Sequence, residues 1–339
     1  MVRSIKILIV LVFLNPAIKA QDYFNVAKIK LPADIAYYDN QFSSLYIAHD
    51  NLYLMSECRI EDNRPAYIAY ASLSQLSKAI KDSSYMPDFH GIPLKGLDTI
   101  ASILKARNQA YEGLEAMAVD NRTYFFSIET NTPSDSCYII KGDWADSAIQ
   151  LNTRHFLAIA KPKDENGKAI YNTGYESMEI NDGKLYAFFE YNHFKNGNYV
   201  IEADLSLDAA GVRRIPIAKI PFRVTDVSWD EKSKSYFGIN YFFQGGGRDT
   251  VYRVPENDPN HHLAYTDKKW RSYCRIIRIK NENGRFAYTP VASLPIRYWA
   301  YNWEGLAKYR KGFFIINDKY TPKKPYTSEL LYLENYSTK

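Results

Sequence analysis

The sequence predicts an all-β chain, a β-propeller with five blades favoured, on three observations. One phrase recurs five times along the 339 residues. Each copy opens a unit of roughly 50 to 78 residues that carries further strand-like runs, the pattern of a blade. The last unit is one strand short, and an unclaimed run at residues 24–31 (FNVAKIKL) can supply that strand and close the ring. The interval from Asp226 to Glu304 is the longest and leaves room for a sixth blade.

The clearest copy, residues 175–190, reads YESMEINDGKLYAFFE. An acid opens an alternating run, Asn181-Asp182-Gly183 turns the chain, and an apolar run ends on a second acid, which is a hairpin pattern. The openers of the five copies are Ser43, Glu112, Glu176, Asp226 and Glu304, and the closers are Glu57, Glu129, Glu190, Asn240 and Asp318. In four copies opener and closer stand 14 apart; the copy from Glu112 takes 17. The start of a strand lies beside the end of its antiparallel partner, so each phrase sets two oxygen-bearing side chains at one end of one hairpin.

In chain order, residues 1–20 read as a cleaved secretory leader: Arg3 and Lys6, an apolar run at 7–14 too short to span a bilayer, Pro16, and Ala20 before Gln21. The mature part, 21–339, is expected to be one propeller domain, secreted or periplasmic. No later stretch is long and apolar enough for a membrane helix. Residues 66–70 are a third strand, and 72–81 (SLSQLSKAIK) has helical spacing with Ser72 as its cap. Residues 92–103 are a strand or a connection. The second unit places strands near 115–119, 123–128, 136–140 and 154–158. The third adds 199–203 and 214–220. The fourth adds 250–253 or 274–279, then 287–294, with a polar excursion at 255–269. The fifth has its third strand near 329–333.

Composition narrows the partners. The chain is 46% apolar and 15% aromatic with 29 Tyr, enough for a strand-built core. Of its net +5, Arg3, Lys6 and Lys19 lie in the leader, so nothing calls for nucleic acid or an anionic membrane. Cys58, Cys137 and Cys274 match no metal spacing and read as isolated core or strand thiols, or as one disulfide with one thiol left over. A monomer is expected.

In a propeller the first strand of each blade lines the central channel, so Ser43, Glu112, Glu176, Asp226 and Glu304 form a ring. Clustered carboxylates in a partly dry channel protonate unless a cation compensates them. Hard oxygen donors in that number suit Ca²⁺ better than Mg²⁺, and no His or Cys in the ring favours zinc. The closers make a second row at the channel mouth. There Glu190 or Glu129 can orient or deprotonate a water, while Arg59, Arg248 and Lys319, with Glu57, Asn240 and Asp318, can bind a small anionic substrate. Gly245-Gly246-Gly247-Arg248 lacks a phosphate-loop ending and reads as a turn. Tyr298, Trp299, Tyr301 and Trp303 read as core between blades or as an exposed platform.

The phrases Tyr111-Glu112-Gly113-Leu114, Thr225-Asp226-Val227 and Asn302-Trp303-Glu304-Gly305-Leu306, the last followed by Asn317-Asp318, resemble those of the esterase-like phytase β-propeller family. The order Ser43, Glu112, Glu176, Asp226, Glu304 is also similar to the axial calcium ligands of five-bladed calcium-activated nucleotidases, where Ser is usual at the position of Asp226. The resemblance implies axial calcium and hydrolysis of a phosphate ester. Ser56-Glu57-Cys58-Arg59 stands where the nucleotidases carry an Asp-Asp-Arg-type stretch, and Glu129-Thr130-Asn131-Thr132 where they carry a Gly-Lys-Glu-Trp-like one. Three functions follow as expectations: a calcium-dependent hydrolase of phosphate esters or related anions, a non-catalytic propeller binding a glycan, peptide or protein, or a lactonase-like propeller enzyme. No Ser-His-Asp arrangement or G-x-S-x-G is visible.

Overall fold

Tight turns set the architecture of the computed structural model, which describes residues 24–58, 65–131, 136–244, 251–253 and 255–335. The leader, Arg59 and Arg248 lie outside the described residues. At His49-Asp50 (φ 49° and 58°) and at Asp182-Gly183 (φ 49° and 70°) both turn residues are left-handed. That twist suits two-residue hairpins, and Asp and Gly tolerate it at little cost.

Antiparallel pairing groups twenty of the described strands into five four-stranded units, each taken as a blade, and a parallel pair, Leu94 with Ile149 and Lys95 with Gln150, joins the outer strands of the first two into one larger sheet. Blade one holds Phe42–Ala48, Asn51–Ser56, Tyr67–Ser72 and His90–Lys95. Blade two holds Ala110–Asp120, Thr123–Asn131, Ser136–Ala145 and Ala148–Leu151, and Leu157–Ala160 also pairs with the third of these. Blade three holds Ser177–Asn181, Lys184–Phe188, Tyr199–Asp204 and Arg213–Pro216. Blade four holds Arg223–Asp230, Ser235–Phe242, Tyr273–Glu282 and Arg285–Ser293. Blade five holds Trp303–Tyr309, Gly312–Asn317, Leu330–Asn335 and, as its outer strand, Phe24–Ile29.

The ring closes as expected. Phe24–Ile29 pairs antiparallel with Leu330–Asn335 from Phe24 opposite Asn335 to Ile29 opposite Leu330. The first strand of each blade touches the first strand of the next, and that of blade five touches that of blade one. Between blades the packing is aromatic. Trp303 is fully buried with Tyr301 stacked on it at 5.0 Å, and Trp299 donates its indole N–H to the Leu294 carbonyl at 2.6 Å. Those residues are core between blades rather than a platform.

Several expectations shift. The fourth strand of blade two is Ala148–Leu151 rather than 154–158, because Asp146-Ser147 (φ 48° and 63°) doubles the chain back at once. Residues 92–103 divide into strand and helix: Gly96, at φ 96°, turns His90–Lys95 into the helix Leu97–Ala106. The Ser72-capped helix, Leu73–Lys81, is present, with the Ser72 hydroxyl accepting from the Gln75 N–H. In blade three the last strand is Arg213–Pro216 rather than 214–220, because from Ile217 and Ala218 the chain turns to Phe286 of blade four, whose carbonyl accepts from the Ala218 N–H at 2.8 Å. In blade four the third strand is Tyr273–Glu282; of the alternative at 250–253, residues 251–253 form no strand and residue 250 lies outside the described residues. Among the described residues no helix is long and apolar enough to cross a membrane. The three cysteines are free thiols.

Closure by the N-terminal strand makes its buried positions critical. Ile29 is 1% exposed, whereas the side chain of Lys28, the residue before it, is 57% exposed and pairs with Glu329 at 2.9 Å. Ile29→Ala is expected to cost about 2–5 kcal/mol in urea unfolding, and Lys28→Ala less than about 1 kcal/mol. Equal, small losses would show that this strand does not hold the ring together.

A carboxylate-lined axial cavity

The register of each hairpin decides which side chain reaches the axis. In blades one, three and five the closer donates its N–H to the carbonyl two residues before the opener: Glu57 to Gln41, Glu190 to Gly174, Asp318 to Asn302, each at 3.0 Å. In blade four Asn240 pairs with Val224, again two residues before Asp226. In blade two Glu129 pairs with Gly113, which lies two residues before Glu115, not before Glu112. The opener of the second phrase is therefore Glu115, and its distance to Glu129 is the same 14 residues. Register shifts flank Gly113, between Tyr111 and Gly113 and between Leu114 and Ala116. They carry the extra residues that hid this position. Gly113 and Gly174 confirm the match. A Cβ on Gly113 would meet Glu115 Oε1 at 2.8 Å, and one on Gly174 would meet Glu176 Oε1 at 3.3 Å.

Four of the predicted residues of the ring and four of the second row meet in one cavity of about 270 Å³. Ser43, Glu112, Glu176 and Glu304 line it with Glu57, Glu129, Glu190 and Asp318, and Glu115 joins them. Among the described residues, eight carboxylates thus face one small space, against the two cationic lining residues Arg223 and Lys319. Burial comes first in raising the Glu176 carboxyl well above its ordinary value, followed by the charges of Glu115, Glu190, Glu129 and Glu304. Glu304 is raised likewise, by burial and then Asp318, although part of its surface opens to the cavity. Burial also raises Asp318, against donations from the Tyr320 and Lys319 N–H groups.

Two predicted residues do other work. Asp226 does not line the cavity. Its Oδ2 accepts from the Leu306 N–H at 2.8 Å and the Leu45 N–H at 3.1 Å, and its Oδ1 from the Val227 N–H at 2.9 Å. One buried carboxylate therefore ties blade four to blades five and one. Asn240 is equally buried away from the cavity. Its amide donates to the carbonyls of Pro221 and Arg223, and its Oδ1 accepts from Arg275 Nε at 2.7 Å. Arg275, fully buried, makes a two-pronged pair with Asp258 at 3.0 and 3.2 Å and so anchors the excursion after blade four's second strand.

The cations that matter most carry no repeat signal. Lys161 is buried, with its Nζ 3.2 Å from Glu129 Oε1 and 2.9 Å from the Thr130 carbonyl. Burial pulls this lysine down, but Cys137, Glu129 and other acidic neighbours carry it above its ordinary value. Glu129 is nonetheless raised, since burial and the charges of Glu190 and Glu112 outweigh a single lysine. Arg223 lies 3.0 Å from Glu190 Oε1, and the Tyr252 hydroxyl donates to Glu190 Oε2 at 2.6 Å. Lys319 donates to Gln41 Oε1 at 2.6 Å. Glu304 Oε1 accepts from the Asn302 amide at 2.6 Å and the Tyr241 hydroxyl at 3.1 Å. Deeper on the same axis, Glu179 accepts from the Trp229 N–H at 2.8 Å, and burial pushes its carboxyl up to about 7.

No family model matches the chain, and no curated protein matches it. Among solved structures, an oxidoreductase described as a glucose dehydrogenase from a Thermus species is similar at a TM-score of 0.48 and 10% identity, covering 91% of this chain and 99% of its own. A β-xylosidase/α-arabinofuranosidase from a compost metagenome is similar at 0.45 and 10%, covering 83% and 86%. An exo-1,5-α-L-arabinanase from a bovine ruminal metagenomic library follows at 0.44 and 9%, covering 87% and 93%. The propeller assignment rests on the strand pairing described above.

Two outcomes follow from this geometry. Asp226→Ala strands the N–H groups of Leu45 and Leu306 in a buried place and is expected to cost about 3 kcal/mol or more in denaturant unfolding. A loss under about 1 kcal/mol would mean that the blades do not depend on this carboxylate. The raised carboxyls set a pH slope. A folded-state value above the unfolded one gives stability that is complete below the ordinary carboxylate range and is lost as pH rises through about 7 for Glu179. In chelator the melting temperature is expected to fall between about pH 5 and pH 8, and Glu179→Gln to flatten part of that fall. A melting temperature that rises over the same interval would contradict this electrostatic picture.

Proposed function

We propose that the chain is a divalent-cation-dependent hydrolase that acts on a small phosphate ester or related anionic substrate in the axial cavity. The observation that carries the reading is the imbalance of charge: among the described residues, eight carboxylates and two cationic side chains line one cavity of about 270 Å³. Such a wall repels an anion by itself and attracts a cation. Its donors are carboxylate, hydroxyl and amide oxygens, the hard set that suits Ca²⁺, and no His or Cys lines the cavity among the described residues. Among the described residues, no three Asp, Glu, His or Cys side chains form a ready-made metal cluster. Support for the ion therefore comes from the donor chemistry and the raised carboxyls. Glu115, Glu176 and Glu304, with Ser43, are the residues that would hold it. Bound there, Ca²⁺ supplies charge compensation and polarises a phosphoryl oxygen.

The chain's own residues divide the remaining work. Arg223 and Lys319 offer charged donors for the anion. Glu190, clasped by Arg223 and Tyr252, is an oriented acceptor for a water proton. Glu129, raised by burial and held through one oxygen by Lys161, is suited to exchange a proton near neutral pH. The likeness of its phrases to the phytase-like and nucleotidase propellers points to the same chemistry, and the leader pattern supports export.

The test is turnover of a panel of phosphate esters by the mature chain. Activity is expected to vanish in chelator and to return with Ca²⁺. Glu176→Gln should weaken the apparent Ca²⁺ affinity by about tenfold or more, and Lys319→Ala should lower kcat/KM by about tenfold with the melting temperature kept. Turnover indifferent to chelation would overturn the cation's role. Calcium binding with no turnover of any ester would replace the hydrolase by a binding propeller.

A further inference from the structure

Beside the axial cavity lies a second cleft of about 330 Å³. The two share a wall, since Asn172, Arg223, Asn302 and Tyr320 line both. Their chemistry differs. The axial cavity is walled by carboxylates, whereas the cleft adds Tyr171, Phe243 and Tyr252 and, among the described residues, has no carboxylate in its lining. Tyr171 is 53% exposed and Tyr320 37%, large apolar surfaces left open to water next to a polar site.

These rings are held in place rather than loosely hung. Phe243 stacks on Tyr320 with centroids 6.2 Å apart and planes 26° apart, and Tyr326 meets Tyr320 edge-on at 5.3 Å. Arg223 is the hinge between the two spaces. Its guanidinium lies 4.2 Å from the Tyr252 ring centroid while its Nη1 contacts Glu190, inside the axial cavity. A ligand whose charge meets Arg223 from the axial side has its next few atoms directed along a shared wall into an aromatic cleft.

We propose that this cleft is the leaving-group subsite, and that the substrate is a phosphate ester, or similar anionic ester, of an alcohol bearing a planar ring. The charged end lies in the axial cavity and the ring lies against the aromatic side chains of the cleft. The role of the charged end rests on the hydrolase reading above; the ring site rests on the cleft. In the hydrolysis a water oxygen bonds to phosphorus and the bond from phosphorus to the ring-bearing oxygen breaks. That oxygen leaves as an alcohol with one of the water's protons, and the other proton stays on the phosphate. Stacking and edge contacts of an aromatic ring favour it over a methyl group by about tenfold.

The experiment compares ring-bearing and ring-free ligands on the full mature chain with Ca²⁺. Binding of phenylphosphonate and methylphosphonate is measured by calorimetry, and turnover of phenyl phosphate and methyl phosphate in the same preparation. The parent is set beside the double variant Tyr171→Leu, Phe243→Leu, with melting temperature as the folding control. Phenylphosphonate is expected to bind about tenfold tighter than methylphosphonate, falling to about threefold or less in the variant while methylphosphonate binding holds. Phenol is intrinsically the better leaving group, so for turnover the decisive quantity is the drop in the phenyl-to-methyl ratio on going from parent to variant. Equal binding of the two phosphonates, failure of both to bind, or a preference unchanged in the variant overturns the subsite. A ring preference in binding with no turnover of either ester overturns the hydrolase reading and leaves the subsite standing. Turnover of both esters without a ring preference does the reverse.

Discussion

Like charge gathered on an axis is the constraint around which this structure is built. A propeller brings the first strand of every blade to the centre, so whatever stands at the opener of each hairpin meets the other four. Here three openers are Glu115, Glu176 and Glu304, and a fourth is Asp226. The fold answers that repulsion by several separate means. Asp226 accepts from backbone N–H groups drawn from three blades, which offset part of the burial that raises its carboxyl. Glu129 and Glu190 receive Lys161 and Arg223. Glu304 receives neutral donors, the Asn302 amide and the Tyr241 hydroxyl. Glu176 is raised by burial and by the charges of four other carboxylates, Glu115, Glu190, Glu129 and Glu304.

How much of this could be read beforehand follows from how local each signal is. Alternation and tight turns are local, so the hairpins, the Ser72-capped helix and the closing strand at 24–31 were legible. Glu115 was obscured because the match of Tyr111-Glu112-Gly113-Leu114 to the phrase at Trp303-Glu304-Gly305-Leu306 draws the eye to Glu112. Counting outward from the turn at Asn121-Arg122 gives Glu115, as it gives Glu176 counting from Asp182-Gly183; the bulges beside Gly113 absorb the difference. Asp226 and Asn240 occupy repeat positions, yet their fates are decided by distant partners, the N–H groups of Leu45 and Leu306 in one case and Arg275 in the other. Lys161, between Ala160 and Pro162, belongs to no copy of the phrase, and only the fold carries it to Glu129. Arg59 and Arg248, read as anion-binding residues, lie outside the described residues, and among the described residues Arg223 is the arginine that lines the cavity.

Blade four shows how one repeat can be diverted from the shared site. Its opener and closer, Asp226 and Asn240, turn from the cavity into the framework, and Arg223, three residues before the opener, reaches the cavity instead. The wall between the axial cavity and the aromatic cleft therefore stands on the blade whose carboxylate was reassigned. A negative repeat position has been exchanged for a positive neighbour, which gives the cavity an asymmetry that five equivalent blades would lack.

The shared composition of blade five bears on how the molecule comes into being. Its outer strand, Phe24–Ile29, is the earliest of the described strands, and its neighbour, Leu330–Asn335, is the latest. The earliest strand must wait for the latest, which makes closure a contact of nearly the greatest separation in sequence that this chain allows, and such contacts are slow to form. A product interrupted within its last strand holds every axial carboxylate but lacks the closed wall that gathers them. The pairing of these two strands thus couples the gathering of the axial carboxylates to the presence of residues 330–335.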